Sequence, residues 1–173
     1  MTIRFEAALR EANGQTIVEL PGPASKQLPS RGQVAARGTL NGHPFKTVIE
    51  PDGNFGHWIR VKEETRSPAT IELEPTQEWP EPRVPPDLKK ALSAAPEKIR
   101  ALWQAITPMA RWEWVRWVNE TRNAQTRKRR VEVSISKLSS GKRRPCCFNL
   151  AACTDPDLSR SGKLISQAQQ DDP

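Results

Sequence analysis

Long apolar runs are missing from this sequence of 173 residues. No stretch approaches the roughly 20 consecutive apolar residues that a transmembrane helix requires, so we predict no membrane insertion. The first residues, which carry charge at Arg4 and Glu6, also lack the apolar core of a secretion signal. We therefore expect a soluble cytoplasmic protein.

Cysteine is scarce, and its distribution argues against a disulfide-stabilised fold. Cys146, Cys147 and Cys153 are the only cysteines and lie too close together for a disulfide framework, which fits a reducing compartment. They are weak candidates for metal ligands, because a structural zinc site takes four ligands, usually in spaced pairs. The nearby Arg143 and Arg144 would favour the thiolate form. Packing as small apolar side chains is the alternative that this spacing favours.

Histidine occurs only twice, at His43 and His57. Both histidines lie beside predicted hairpin turns, and neither accompanies a nucleophile in a recognised local motif. The glycines Gly38, Gly42 and Gly53 are spaced as turn and strand glycines rather than as a phosphate-binding loop. Active sites need several titratable groups in one pocket, so we expect a non-enzymatic protein without a cofactor.

Positive charge is present in excess, and it is concentrated in one segment. The net charge of the whole chain is +7. Residues 1–85 carry −1, residues 86–121 carry +2 and residues 145–173 carry −2. Residues 122–144 hold nine basic residues and one acidic residue, which gives +8. The basic character therefore belongs to one short segment.

The first 75 residues have the pattern of a small β-barrel. Apolar and polar residues alternate, and Asn13-Gly14, Asn41-Gly42 and Asp52-Gly53 tolerate the positive φ angles of tight hairpin turns. A closed barrel is favoured, because it leaves no long exposed edge on a small sheet. Six strands are predicted, at residues 3–7, 15–20, 34–40, 45–50, 57–61 and 69–74.

A proline-rich stretch follows the predicted strands. Its prolines remove backbone donors and favour extended conformations, so we expect a semi-rigid linker with Trp79 as an anchor. The residues at the end of the chain are rich in Ser, Asp and Gln and are expected to be loosely ordered. The predicted organisation is a barrel at 1–75, a linker at 76–86, a basic helical segment at 87–144 and a Cys-containing polar tail at 145–173.

Three or four helices are predicted after the linker, which makes the fold class α+β. Pro86, Pro96 and Pro108 each stand where a helix begins, and apolar residues follow them at helical spacing. Residues 126–138 fit either a strand or a helix. We choose the helix, because Thr126 can cap it and Gly141 can end it.

Four tryptophans lie within 15 residues of the predicted helical segment: Trp103, Trp112, Trp114 and Trp117. Around the helix that begins near Pro108, apolar side chains cover most of the circumference and leave a narrow polar stripe. That stripe consists of Glu113, Arg116 and Glu120. We predict that the rings pack in a core. The alternative is that one or two exposed rings stack on bases or contact a partner.

Two groups of motifs carry a family resemblance. The first group consists of Leu28-Pro29, Arg31-Gly32 and residues 37–45, and it resembles a bacterial domain-of-unknown-function family that folds as a small double-split β-barrel. The second group consists of residues 84–92 and 120–130. It resembles the YdeI/OmpD-associated (bacteriocin-protection) helical segment that is often fused to that barrel.

The resemblance implies little about function. The family's name implies a role in stress tolerance, and the family supplies no agreed catalytic residues. Double-split barrels also occur in regulators and antitoxins that bind DNA, which is an analogy of fold alone. The sequence departs from the family at Thr65-Arg66-Ser67-Pro68, where such barrels often carry a Gly-Asp turn. The geometry of this turn is therefore not implied by the resemblance.

The basic segment gives the leading functional hypothesis, because clustered cations attract phosphates and release counterions. We predict that it binds nucleic acid or another polyanion. The alternative is a solvated helix face, partly neutralised by Glu72, Glu74, Glu78 and Glu81. The predicted contact residues are Arg122, Arg127, Lys128, Arg129, Arg130, Lys142, Arg143 and Arg144.

Two further hypotheses come from other classes of function. In the first, the barrel binds a small molecule, with His43, His57 and Trp58 near its mouth. In the second, the basic helix docks on an acidic protein as an interaction module. The sequence does not choose among the ligands or the oligomeric states.

Overall fold

The computed structural model describes residues 1–145 and 148–166, which fall into two compact units. Cys146 and Cys147 lie outside the described residues, as does the end of the predicted tail after Ser166. The described residues of the barrel unit are 1–79, 149–153 and 157–166, and those of the helical unit are 80–145, 148 and 154–156.

The barrel unit is built on one antiparallel sheet of seven strands in the order β1-β7-β4-β5-β6-β3-β2. The sheet curls into a half-barrel with β1 and β2 at its two edges, and no pairing joins these edges among the described residues. The α+β class is confirmed, whereas the predicted closed barrel is a curled open sheet. The elements are β1 (Ile3–Ala7), β2 (Arg10–Ala12), β3 (Gln15–Glu19), α1 (Gly22–Lys26), β4 (Val34–Leu40), β5 (His43–Pro51), β6 (His57–Val61) and β7 (Ala69–Pro75).

Six of the seven strands coincide with predicted strands, and the seventh is β2. This strand has three residues and pairs with β3 through the two-residue turn Asn13-Gly14. Asn13 and Gly14 have φ angles of 45° and 76°, as the predicted turn requires. The turn Asn41-Gly42 joins β4 to β5 in the same way, with φ angles of 49° and 83°. Two of the three predicted turns are therefore confirmed. At the third, β5 pairs with β6 across residues 52–56 rather than a two-residue turn, and Gly53 has a φ of 76°.

Alternating side chains from the strands form the main core of the barrel unit. In β7, Ala69, Ile71 and Leu73 are fully buried, and the residues between them are more exposed. Ile3 and Ile49 join the same cluster from β1 and β5. The period of two that predicted these strands is the period of burial in β7, whereas β3, β4 and β6 each bury three consecutive residues.

The helical unit contains α2 (Pro86–Ala94), α3 (Glu97–Ala105), α4 (Pro108–Asn119) and α5 (Ala124–Ser139). Four helices were within the predicted number, and the choice of helix for residues 126–138 is confirmed. The buried set that joins them includes Leu88, Leu92, Ile99, Trp103, Trp114, Val118, Val131 and Leu138.

The caps of α5 differ in part from the prediction. The side chain of Asn123, rather than that of Thr126, caps the helix by accepting a hydrogen bond from the Thr126 amide at 3.0 Å. At the other end, Gly141 has a φ of 81°, and the Lys142 amide donates to the Lys137 carbonyl at 2.9 Å. This is a Schellman motif, and it confirms that Gly141 ends the helix.

Among the described residues, no helix is both long enough and apolar enough to cross a bilayer.

The tail is folded where the structure describes it, and the expectation of loose order is wrong there. Residues Ser159–Arg160 form β8 and Lys163–Leu164 form β9, which pair as a short hairpin. Cys153, Leu158 and Ile165 pack with the apolar side chains of Ile17 and Trp58 in the barrel unit. The tail therefore contributes a second apolar cluster to this unit.

Candidate anion-binding surfaces

The predicted basic segment is partly neutralised within the helical unit. The guanidinium of Arg127 on α5 forms a two-pronged ion pair with Asp87 on α2, with Nε–Oδ2 at 2.6 Å and Nη2–Oδ1 at 3.0 Å. This pairing holds the pKa of Asp87 below its ordinary value. In this bidentate geometry both Nε and Nη2 of the guanidinium are already hydrogen-bonded. Arg127 would have to leave Asp87 before it could bind a phosphate.

Arg130 and Arg144 are also paired with carboxylates of the helical unit. The Nη1 of Arg130 donates to Glu120 Oε2 at 3.0 Å and to the Trp117 carbonyl at 2.7 Å. The guanidinium also lies over the Trp117 ring, 5.2 Å from its centroid. Arg144 makes a two-pronged ion pair with Glu113, one bond of which is Nε–Oε2 at 2.8 Å, and this pair raises the pKa of Arg144.

The acids that neutralise these arginines are not the ones the sequence suggested. They come from α2, from α4 and from Glu120, the residue that follows α4. The suggested acids pair elsewhere, because Glu72 pairs with Arg4, Glu74 with Arg37, Glu78 with Lys46 and Glu81 with Arg111.

Four of the eight predicted contact residues remain as an exposed set, which we call the α5 basic surface. Lys128 and Arg129 lie on the exposed side of α5, and Lys142 and Arg143 follow its C-terminal cap. No ion pair joins any of the four to a carboxylate in the described ranges. Arg122 is exposed in the link between α4 and α5. The α5 basic surface is therefore available to an external anion.

The residues of the predicted barrel pocket are not brought together. His43 lies on an open groove of about 870 Å³, formed at the β4–β5 turn and the end of β6. The lining of this groove includes Leu40, Phe45 and Val61. Trp58 lies in the interior, where its indole N–H donates to the Pro51 carbonyl at 3.2 Å.

His57 is also in the interior and has two hydrogen-bond partners. Its Nε2 lies 3.0 Å from the Gly32 carbonyl, which can only accept, so Nε2 carries the proton. Its Nδ1 then accepts from the Ser25 hydroxyl at 2.6 Å. Burial lowers the pKa of His57. This arrangement holds a neutral histidine in the core and gives a substrate no access to it.

The predicted metal ligands cannot be assembled from the described residues. Cys153 has an exposed fraction of 2%, and it packs against apolar neighbours. Cys146 and Cys147 are outside the described residues. Within the described ranges, no group of three His, Cys, Asp or Glu side chains is placed to hold a metal ion.

Two family models match the chain, one after the other. Residues 5–78 match a domain of unknown function, DUF1905. Residues 81–141 match OmdA, described as bacteriocin-protection, YdeI or OmpD-associated. The two matches follow one another along the chain, the DUF1905 match first and the OmdA match second. The resemblance predicted from the sequence is thereby confirmed. No curated protein matches the chain.

The residues that match the OmdA model contain most of the interactions that the sequence did not predict. Asp87, Glu113 and Glu120 fall inside its matched range, as do Arg127 and Arg130. The sequence signal was present, because Glu113 and Glu120 belong to the predicted polar stripe of α4. The sequence does not show which member of that stripe is buried, and the structure shows that Glu113 is, with an exposed fraction of 7%. A buried carboxylate requires a cation, and the nearby basic segment supplies it.

Proposed function

We propose that this protein is a non-enzymatic accessory protein that docks on nucleic acid through the α5 basic surface of its OmdA part. The DUF1905 and OmdA matches support the accessory role. The observation that carries the docking proposal is that Lys128, Arg129, Lys142 and Arg143 are exposed and hold no carboxylate among the described residues.

The distribution of charge between the units supports the same proposal. The helical unit contains 16 Lys and Arg residues against 7 Asp and Glu residues. The described residues of the barrel unit contain 11 against 11. The helical unit thus has a net charge of +9, and the described part of the barrel unit has a net charge of zero. The positive electrostatic potential of the helical unit attracts a polyanion to that unit.

The length of the α5 basic surface suits a nucleic-acid backbone. At a rise of about 1.5 Å per residue, the helix from Lys128 to its C-terminal cap spans about 20 Å. Phosphates along one strand of a duplex are about 3.4 Å apart along the helix axis. The cations at both ends of α5 can therefore reach phosphates on one strand, separated by several nucleotides.

The number of available cations sets the expected salt dependence. Each neutralised phosphate contributes about −0.9 to the slope of log affinity against log salt for duplex DNA. Four contacts predict a slope of about −3.6, whereas eight contacts would predict about −7. Fluorescence anisotropy of labelled duplexes across a salt series measures this slope.

The first prediction concerns a double variant of this surface. We expect Lys128→Ala/Arg129→Ala to reduce the steepness of the slope by about 2, because it removes two phosphate contacts. Affinity should fall to a similar extent for two duplexes of unrelated sequence, because phosphate contacts carry no sequence information. The matched control is Lys26→Ala/Lys163→Ala, which removes the same charge from exposed positions of the barrel unit.

Three results would contradict the proposal. The first is no binding of duplex DNA or single-stranded RNA at low salt. The second is an equal loss of affinity in the control variant, which would mean that only the net charge matters. The third is binding of poly-glutamate but not of nucleic acid, which would assign the surface to an acidic protein.

A further inference from the structure

The helical unit carries a second cationic feature, a groove that is separate in sequence from the α5 basic surface. Its volume is about 750 Å³, within the range of small-molecule sites. We name it the α2–α3 groove, because its lining comes from those two helices and from the segment before α2. The lining residues are Pro82, Arg83, Val84, Pro86, Lys89, Leu92, Ser93, Arg100, Trp103 and Gln104.

Helical spacing explains how the polar side chains converge on this groove. Lys89 and Ser93 are four residues apart on α2, and Arg100 and Gln104 are four residues apart on α3. Residues at this spacing lie one above the other on the same side of a helix. Arg83 is added by the proline-rich segment, whose fixed φ angles restrict the backbone beside it. Polar side chains from α2, from α3 and from the segment before α2 therefore line the groove.

The charge of the lining is of one sign only. Arg83, Lys89 and Arg100 are cations, and no carboxylate is among the lining residues. None of the three forms an ion pair in the described part of the chain. By contrast, Arg111 of the same unit holds Glu81, with Nε–Oε2 at 2.9 Å. Three cations around one groove repel one another, and a bound anion would relieve that repulsion.

The apolar part of the lining determines what kind of anion fits. Leu92 and Trp103 belong to the core of the helical unit, and each has an exposed fraction of 7%. Val84 packs against the same core and is half-buried. These side chains give the groove an apolar surface beside its cations. A fully hydrated inorganic ion would leave that surface unused, whereas a ligand with an apolar body would cover it.

We propose that the α2–α3 groove binds a small amphipathic anion, with one phosphate or carboxylate group and an apolar body. Arg83, Lys89 and Arg100 hold the anionic group. The body lies on Val84, Leu92 and Trp103, and the Ser93 hydroxyl and the Gln104 amide supply hydrogen bonds. This site goes beyond the proposed docking on nucleic acid, because it uses none of the α5 basic surface.

Isothermal titration calorimetry with 1-naphthyl phosphate tests the site on the full chain. We expect one molecule to bind per protein chain. We expect 1-naphthol, which lacks the charge, and inorganic phosphate, which lacks the apolar body, each to bind at least tenfold more weakly. Both halves of the ligand contribute in the proposed site, so removal of either half loses affinity.

Matched variants locate the site. Arg100→Gln should weaken 1-naphthyl phosphate about tenfold or more, because a hydrogen bond to a charged group is lost. Lys98→Gln removes the same charge from an exposed position on the same helix, outside the lining, and should leave affinity within about twofold. Lys128→Ala/Arg129→Ala should also leave it unchanged, which separates this site from the docking surface.

The proposal is overturned if no binding is detected at millimolar 1-naphthyl phosphate with the folded protein. It is also overturned if Arg100→Gln binds as tightly as the parent. Equal affinity for 1-naphthol would mean an apolar groove without anion recognition, and equal affinity for inorganic phosphate would mean an ion site without a place for the body. Circular dichroism of each variant verifies that the helices are intact.

Discussion

At the residue scale, the arginines of the helical unit differ in what they already hold. Arg111, Arg127, Arg130 and Arg144 each bind a carboxylate of the same unit. A phosphate that approached one of these arginines would have to displace a partner that is part of the fold. The arginines of the α5 basic surface and of the α2–α3 groove form no ion pair with a carboxylate among the described residues. Location near other basic residues in the sequence therefore does not decide which arginine can bind an external anion.

Arg111 also binds backbone carbonyls, in addition to the Glu81 carboxylate. Its exposed fraction is 7%, and its Nη1 donates to the carbonyls of Trp103 and Ile106 at the end of α3. Those carbonyls lack intrahelical partners because the helix ends there. The sequence shows Arg111 only as one more charge in an amphipathic helix. Its structural role depends on the backbone carbonyls at the end of α3, and the apolar periodicity of the sequence does not predict their position.

His57 gives a prediction about pH. Burial lowers its pKa, so below the ordinary value of about 6.5 the unfolded chain takes up a proton that the folded protein resists. The stabilisation by neutral His57 is full above pH 6.5 and is lost as the pH falls below it. We expect about 1.4 kcal/mol to be lost from the free energy of unfolding for each pH unit in which only the unfolded chain is protonated. Urea unfolding from pH 8 to pH 5 measures this loss.

Two variants assign the pH effect to His57. His57→Gln should be less stable at pH 8, because it disturbs the contacts to Ser25 and Gly32, and it should show a smaller loss towards pH 5. His43→Gln removes the other histidine, which is exposed, and should keep the loss of the parent protein. If the loss persists in His57→Gln, another group is responsible for it.

At the element scale, the sequence predicted the helices well and their caps less well. Pro86 and Pro108 occupy the first turns of α2 and α4, as their fixed φ angle favours. For α5, two residues that commonly cap helices stand three positions apart, and both precede the apolar pattern. Thr126 is in the first turn, and Asn123 precedes the helix with an extended backbone, at a φ of −70° and a ψ of 120°. Composition alone does not distinguish these two positions.

Replacement of the α5 cap provides a prediction for this element. Asn123→Ala should lower the free energy of unfolding by about 1 kcal/mol, because the Thr126 amide loses its acceptor. Asn123→Asp should retain most of the stability, because a carboxylate caps equally well and suits the helix N-terminus. Urea unfolding measures both changes. Thr126→Ala is the control, and a cost as large as that of Asn123→Ala would mean that Thr126 makes the cap.

At the scale of the whole molecule, long-range packing explains what sequence patterns could not predict. Leu158 and Ile165 stand in a polar stretch with no apolar period, so a loosely ordered tail was the natural expectation. Their partners, Ile17 and Trp58, are on strands near the start of the chain. The hydrogen bond from the Leu164 amide to the Asp52 carbonyl, at 2.9 Å, likewise joins residues that are far apart in the sequence. Local composition contains no information about such partners.

The last prediction tests whether the tail is part of the barrel unit's core. Leu158 has an exposed fraction of 0%, so Leu158→Ala should lower the free energy of unfolding by about 2–5 kcal/mol through lost burial and the cavity left behind. Leu150→Ala makes the same chemical change in the same tail at a residue with an exposed fraction of 45%, and it should cost less than about 1 kcal/mol.

Urea unfolding compares the two variants, and hydrogen exchange of the β3 and β6 amides locates the effect. Faster exchange at Ile17 and Trp58 in Leu158→Ala alone is the expected result, because their side chains contact the same cluster. Equal costs for the two leucines, or unchanged exchange in both strands, would mean that the barrel unit folds without its tail.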